Sequence, residues 1–411
     1  MAPQHSKTPN NARNARLSER GGIVSVASSR AAQVARETLD GASRIAVVTK
    51  FRFMGDTIVA TPFLRQLRHC YPKAEITLLT APSVVTALAH CPYVDHSYPV
   101  EMNRVGRMKH SRELYGWLRD GRFSAAFLLN RSLHCAAISS FAGIPVRIGY
   151  MNEFRRPFLT VPVPYFFDRN EVDCHLDMLR ALGLPTEDAL PELWFTEAEK
   201  IEGRTLLTRR SVKNRPLIGI QPGANDPFIR EWGAERYARL ADALAEETGG
   251  TVLLMGAGAE RETAGRTADA MRSKPVNLVG ELGLRQALTV IGLCDLWIGN
   301  DTGLLHAAVA QRVASVGLFG PNKVVRWGYD SPRHRSLVKF PDKPARDDGT
   351  VRRCLDAIPE DLVLKTAREV MHAPVELPGP VTLSTPNAER ARPPYFTATL
   401  DPASLLPVRR R

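Results

Sequence analysis

The sequence predicts an α/β protein made of two doubly wound domains, each a parallel sheet with helices on both faces. Short apolar β-rich runs alternate with helical patterns, and they do so in two series separated by the charged segment 209–214, just before Pro216. Length agrees, because 411 residues at ~100–200 per domain leave enough chain for two cores.

The first series opens at residues 44–49 (RIAVVT), a continuous apolar run between Gly41 and Gly55, as expected of a strand buried on both faces. A helical pattern at 57–69 follows, then a strand at 75–80, a helix at 83–90, a strand at 123–129 and helices at 132–142 and 171–182. The second series begins with a strand at 217–221 and a helix at 234–247, whose Tyr237, Leu240, Ala241 and Leu244 fall on one face. Strands at 251–255, 296–299 and 314–319 and helices at 260–271, 284–293 and 302–310 complete it. No internal repeat is readable.

The two ends differ from this pattern. Residues 1–43, rich in Ser, Asn, Ala and Arg, and the proline-studded residues 373–411 are expected to lack a fixed fold, although 24–39 has the makings of a short helix. Apolar windows such as 288–298 are short and interrupted by Asp295, so none reaches the ~18 residues of a membrane span. The N-terminus has no apolar signal-peptide core, which predicts a cytoplasmic protein. Six scattered cysteines without a C-x-x-C pair read as reduced intracellular thiols and lack metal-ligand spacing. With 55 Lys and Arg against 43 Asp and Glu, the net charge of +12 implies an anionic partner: nucleic acid, a phosphorylated substrate or an acidic membrane. Composition does not choose among them.

In open α/β sheets ligands bind at the carboxyl ends of the strands. The most informative loop there is 299–306 (GNDTGLLH), which closes a strand and opens a helix. Asp301 is placed to cap that helix. Thr302, Gly303 and the neighbouring N–H groups then form an anion site, with His306 one turn on from Thr302. On local spacing alone, this reading and that of an ordinary capped helix with a packed histidine stand level. In the loop 221–232 (QPGANDPFIREW), Arg230 suits a diphosphate and Trp232 either shapes the site or belongs to the core. The loop 256–260 (GAGAE) offers Glu260 to ribose hydroxyls or merely to a helix start. In the first half, Asp56 opens a helix as a cap or as a general base. Lys50, Arg52 and Arg131 rim the same strand ends, either as anion ligands or as solvated charges. There is no D-x-D to hold a metal–diphosphate, no G-x-x-x-x-G-K-[ST] loop and no G-x-S-x-G elbow.

Taken together, these residues resemble the heptosyltransferase family of lipopolysaccharide core synthesis, glycosyltransferase family 9. The segment MGDTIVATPFLRQLRHCYPKAEITLLT (54–80) is similar to the family's opening G-D, T-P and Y-P pattern. IGIQPGANDPFIREWGAERYARLADAL (218–244) resembles its donor loop and helix, and IGNDTGLLHAAVAQRVASVGLFGPN (298–322) carries D-T-G-x-x-H followed by F-G-P. CLDAIPEDLVLKTAREVM (354–371) resembles the closing cysteine and last helix, so the likeness spans about residues 44–372. The family usually has lysine where this chain has Arg230.

The resemblance implies a GT-B fold: two Rossmann-like domains facing across a cleft, with acceptor bound by 44–212 and nucleotide sugar by 213–350. Residues 351–372 would pack back on the core. By matched position Asp56 would be the general base. Arg230, Glu260, Asp301, Thr302, Gly303 and His306 would bind the donor, and Lys50, Arg52 and Arg131 face an anionic acceptor. The implied reaction is inverting transfer of heptose from ADP-heptose to a lipopolysaccharide inner-core glycolipid, without metal or cofactor, by a protein touching the inner face of the cytoplasmic membrane. Nucleic acid is not expected as a partner. Three alternatives stay open: another nucleotide sugar or glycan acceptor, which a donor panel separates; a nucleotide-sugar epimerase, which needs no acceptor; and a non-enzymatic protein binding through its basic tails.

Overall fold

The computed structural model describes Val26 and residues 29–375, except 102–106, 153, 188–189, 225–230, 321–323 and 340–354. The first sheet contains β1 (Arg44–Val48), β2 (Glu75–Thr80), β3 (His96–Pro99), β4 (Ala125–Leu128), β5 (Val146–Tyr150) and β6 (Val161–Val163). The second contains β7 (Leu217–Gln221), β8 (Thr251–Leu254), β9 (Val276–Asn277), β10 (Leu296–Asn300), β11 (Ala314–Leu318) and β12 (His334–Leu337). Every ladder is parallel. The strand orders are β3-β2-β1-β4-β5-β6 and β9-β8-β7-β10-β11-β12, the same winding twice. The repeat that could not be read in the sequence therefore exists as topology. In each sheet the order reverses beside the first strand, between β1 and β4 and between β7 and β10.

The helices in chain order are α1 (Arg30–Asp40), α2 (Met54–Ile58), α3 (Thr61–Cys70), α4 (Pro82–Ala87), α5 (Arg107–Asp120), α6 (Leu133–Phe141) and α7 (Glu171–Arg180). They continue as α8 (Glu197–Arg209), α9 (Ala234–Thr248), α10 (Arg261–Ala270), α11 (Leu284–Gly292), α12 (Gly303–Ala310), α13 (Val324–Trp327) and α14 (Glu360–His372).

The central strands are buried along nearly their whole length, as their unbroken apolar runs require. Helix α9 buries the expected Tyr237, Leu240, Ala241 and Leu244 and ends at Gly249 in the left-handed region, φ +67°. The pattern at 57–69 is two helices, not one. Pro62 lies in the first turn of α3, where its missing N–H costs nothing, and the Thr61 hydroxyl donates to the Ile58 carbonyl at the break.

One expectation needs correction. Residues 30–40, assigned to an extension without fixed fold, instead form α1, overlapping the short helix expected at 24–39; it is capped by the Ser29 hydroxyl and buries Ala32, Ala35 and Leu39. Residues 1–25 and 376–411 lie outside the described residues. A single apolar cluster runs from Leu39 through the first sheet to Leu288, Trp297, Leu305 and Phe319, so the two sheets share a core. The second sheet's outer face is closed by α14, which contributes Val363, Ala367 and Val370. No helix among the described residues is long and apolar enough to cross a membrane.

Candidate active site

Each switch point is pinned by a buried asparagine at the carboxyl end of the fourth strand, Asn130 two residues past β4 and Asn300 the last residue of β10. The Asn130 amide donates to the carbonyl of Thr49 at 3.1 Å, and its oxygen accepts from the Ser132 N–H. The Asn300 amide donates to the Pro222 and Gly223 carbonyls, both at 3.2 Å, and its oxygen accepts from the Tyr237 hydroxyl at 3.0 Å. Amides can bond two loop backbones at once, so each asparagine fixes the mouth between diverging strands.

On the first side, Asp56 sits in the first turn of α2 with its carboxylate 2.5 Å from Lys50 Nζ. Lys50 also reaches the buried Glu171 at 3.3 Å and lies over the Trp327 ring at 4.9 Å. The other Glu171 oxygen accepts from the Tyr165 hydroxyl at 2.8 Å and stands 3.5 Å from Arg326 Nε. Burial raises the Asp56 carboxyl above its ordinary value, Lys50 opposes that rise, and Glu171 adds to it. Burial would raise Glu171 as well, but His175, Lys50, Tyr165 and Arg326 together hold it below its usual value. Of the two acids, Asp56 is therefore the one whose affinity for a proton is raised.

On the second side, three loops are stitched together. Thr302 Oγ1 donates to Gln221 Oε1 at 2.5 Å, Gln221 Nε2 donates to Glu260 Oε2 at 2.9 Å, and Glu260 Oε1 accepts from the Ala257 N–H at 3.2 Å. Gly223 and Gly256 make room for Glu260, since a Cβ at either would fall 2.7 Å from its side chain. Burial raises the Glu260 carboxyl. The cap of α12 is Thr302, not Asp301. Its hydroxyl is committed to Gln221 and makes no cap bond to the first turn of α12. Trp232 is core: it is 1% exposed, and its indole donates to the Ile358 carbonyl at 3.0 Å.

The two sides meet where α2 touches α12. A Cβ on Gly55 would fall 2.8 Å from His306 Cδ2 and 3.2 Å from Gly303 Cα, so only glycine permits this approach. His306 Nδ1 pairs with the Tyr329 hydroxyl at 2.7 Å, and burial pulls the imidazole down to about 4, leaving it neutral. The contact places the Asp56 turn beside the open end of α12.

Residues 111–354 match the family model for glycosyltransferase family 9 (heptosyltransferase). That span is more than half of the chain. The chain belongs to glycosyltransferase family 9. It is 30% identical over 284 residues to lipopolysaccharide heptosyltransferase 2 of Escherichia coli (strain K12), an alignment covering 66% of this chain and 81% of that protein. Its fold is similar to that of a family 9 glycosyl transferase from Veillonella parvula, with TM-score 0.72, 23% identity, and 80% and 97% of the two chains covered. It is also similar to the E. coli heptosyltransferase WaaC solved with ADP-2-deoxy-2-fluoro heptose, with TM-score 0.60, 16% identity, and 79% and 99% covered. The twin doubly wound sheets are thus a GT-B fold, and the protein is a glycosyltransferase.

In this family 9 enzyme the predicted residues Lys50, Asp56, Gly303 and His306 come together at the junction, with Thr302 and Glu260 behind them in the stitch of the second-side loops. Asp301 follows β10 at the mouth, where its N–H donates to the Leu318 carbonyl. Arg131 joins the first-side cluster indirectly, through the Tyr165 ring. Arg52 lies exposed over Phe53. Arg230 lies outside the described residues. Sequence reasoning missed Gln221 as a linker, and it missed Glu171, Tyr165, Arg326 and Tyr329 altogether. Asn170 preceding Glu171 signalled a helix start but nothing about the acid's role; the residues after F-G-P carried no periodic signal.

Proposed function

We propose that the protein is an inverting heptosyltransferase that moves heptose from ADP-heptose to an anionic inner-core glycolipid of lipopolysaccharide, with acceptor held by residues 44–212 and donor by residues 213–350. The observation that carries this reading is the junction itself: a carboxylate raised in pKa, Asp56, beside the N-terminus of α12, whose cap residue Thr302 turns its hydroxyl to Gln221 instead of the helix. A nucleoside diphosphate is a good leaving group, so no acid is needed and one base is enough. Asp56 takes the proton of the acceptor hydroxyl as that oxygen attacks the anomeric carbon in line. The bond to the diphosphate breaks on the opposite face, and the configuration inverts. Charge growing on the diphosphate is met by the N–H groups at Thr302 and Gly303, by Arg230 and by the neutral His306 as a hydrogen-bonding group. Glu260 and Asp301 hold the nucleoside and sugar side, while Lys50, Arg52 and Arg131 draw in the acidic acceptor. Approach of the two domains excludes water and limits hydrolysis. The acceptor's lipid would bring the enzyme to the inner face of the cytoplasmic membrane, favoured by the net charge of +12.

The test is a mass-spectrometric transfer assay with ADP-heptose and other sugar nucleotides against glycolipid from a strain lacking the second heptose. Addition of one heptose from ADP-heptose alone is expected. Turnover with a different donor and none with ADP-heptose overturns the donor assignment.

A further inference from the structure

Two guanidinium groups from different sheets share one aromatic platform beside the proposed acceptor site. Arg131, which follows β4, has its Cζ 4.8 Å from the Tyr165 ring centre and 4.9 Å from that of Phe167. Arg326, on α13 of the second half, has its Cζ 5.0 and 5.1 Å from the same two centres. The rings stand edge to face, 5.1 Å apart, with Phe167 65% exposed. Both cations therefore lie within about one Debye length (~10 Å at moderate salt) of each other, and Lys50 lies on the far side of Glu171.

Little offsets this concentration of charge. Among the described residues Arg131 pairs with no carboxylate. Among the described residues the one carboxylate within ion-pair distance of Arg326 is Glu171, with Asp56 near enough to feel its charge, and the buried Nε and Nη2 of Arg326 make no hydrogen bond. Glu171 is already engaged by Lys50 and Tyr165. Like charges held this close with unused donors are costly until an anion arrives. Arg131, lying over the two rings, keeps its in-plane N–H fork available for phosphate or carboxylate, and Arg326 adds a second positive charge to the same platform, its Nε and Nη2 buried and without hydrogen bonds.

We propose that Arg131 and Arg326 form an anion clamp, closed by both halves of the molecule, that reads an acidic substituent of the acceptor sugar on the Tyr165–Phe167 platform. The ligand chemistry is a phosphomonoester or a sugar carboxylate. Arg326 is thereby a specificity residue for the acceptor carried by the half that holds the donor, so the clamp is complete only when the halves are together. The proposal rests on the acceptor reading given above but not on the identity of the donor sugar.

The test is calorimetric titration of the full-length protein, without nucleotide sugar, with deacylated oligosaccharide from the heptose-deficient glycolipid. The oligosaccharide is used untreated, phosphatase-treated and carboxyl-reduced. Wild type should bind the untreated form about tenfold or more tightly than one of the treated forms, and the treatment that weakens binding identifies the acid read. Arg326→Gln and Arg131→Gln should bind all three forms alike, while Arg326→Lys recovers part of the discrimination. Unchanged melting temperatures separate loss of the clamp from misfolding. Equal binding of all three forms by wild type, no binding at all, or retained discrimination in Arg326→Gln overturns the proposal. Acid-dependent binding that persists while ADP-heptose fails as donor would leave the clamp standing and remove the donor assignment.

Discussion

At the scale of single residues the site turns on one lysine between two carboxylates. Lys50 lies 2.5 Å from Asp56 and 3.3 Å from Glu171, so Glu171 draws part of the lysine's charge away from Asp56, the proposed base. Asp56→Asn keeps the shape and removes the proton acceptor. Single-turnover transfer should fall roughly 10²–10⁴-fold with donor affinity unchanged, and full turnover would remove Asp56 from the base role. Because Asp56 must be ionised to act and its pKa is raised above the ordinary 3.8, kcat/KM should fall as pH drops through that raised value. Lys50 opposes the rise, so Lys50→Met should move the acidic limb to higher pH; a limb that stays put or moves down would contradict the arrangement. Asp56 was legible because G-D after the first strand is a local pattern. Glu171 was not, because it reaches Lys50 from 121 positions away and nothing in its own neighbourhood marks that contact.

At the scale of elements, the contact between α2 and α12 sets the distance between Asp56, the proposed base, and the proposed donor site. It depends on Gly55 and Gly303, and a Cβ on Gly303 would come within 3.1 Å of Met54 Cε and 3.4 Å of the Gly55 nitrogen. Gly55→Ala should push α12 away through His306, at a cost of about 1–3 kcal/mol for overpacking. A shift near 1 Å at a reacting centre costs up to ~10²-fold in rate, so kcat should fall far more than the melting temperature suggests. Wild-type kcat in a folded Gly55→Ala protein would show that the contact does not govern the chemistry. The buried strands β1, β7, β10 and β11 were legible from their apolar runs. Strands β6 (VPV), β9 (VN) and β12 (HRSL) are too short or too polar to carry a period. Helix α8 buries only Gly203 and Leu207, so its one clear mark in the sequence is the Thr196–Glu199 capping box.

At the scale of the molecule, one winding order is used twice, and each copy brings its switch point to the shared junction. This repeat is invisible in the sequence because the two copies share strand order and a switch-point asparagine rather than residue patterns. The copies are also joined away from the chemistry, where Arg285 of α11 reaches back across the chain. Its Nε is 2.5 Å from Glu199 Oε1, it donates to the carbonyls of Ala87 and Trp194, and its guanidinium lies 4.0 Å over the Phe195 ring. The Arg285 bond is the main reason the Glu199 carboxyl falls from an ordinary 4.5 to about 2, with the Thr196 contacts helping against burial. A carboxyl depressed in the folded state adds stability that is fully present above the unfolded value and lost as pH falls from about 4.5 to about 2. Arg285→Ala removes the chief cause of that depression. Denaturant melts of wild type should therefore lose more stability than those of Arg285→Ala between pH 6 and pH 2, a range that spans the unfolded value of 4.5 and the folded value of about 2. Parallel losses in the two proteins would mean that the Arg285 bond is not what depresses Glu199, and that this joint adds no pH-dependent stability between the halves.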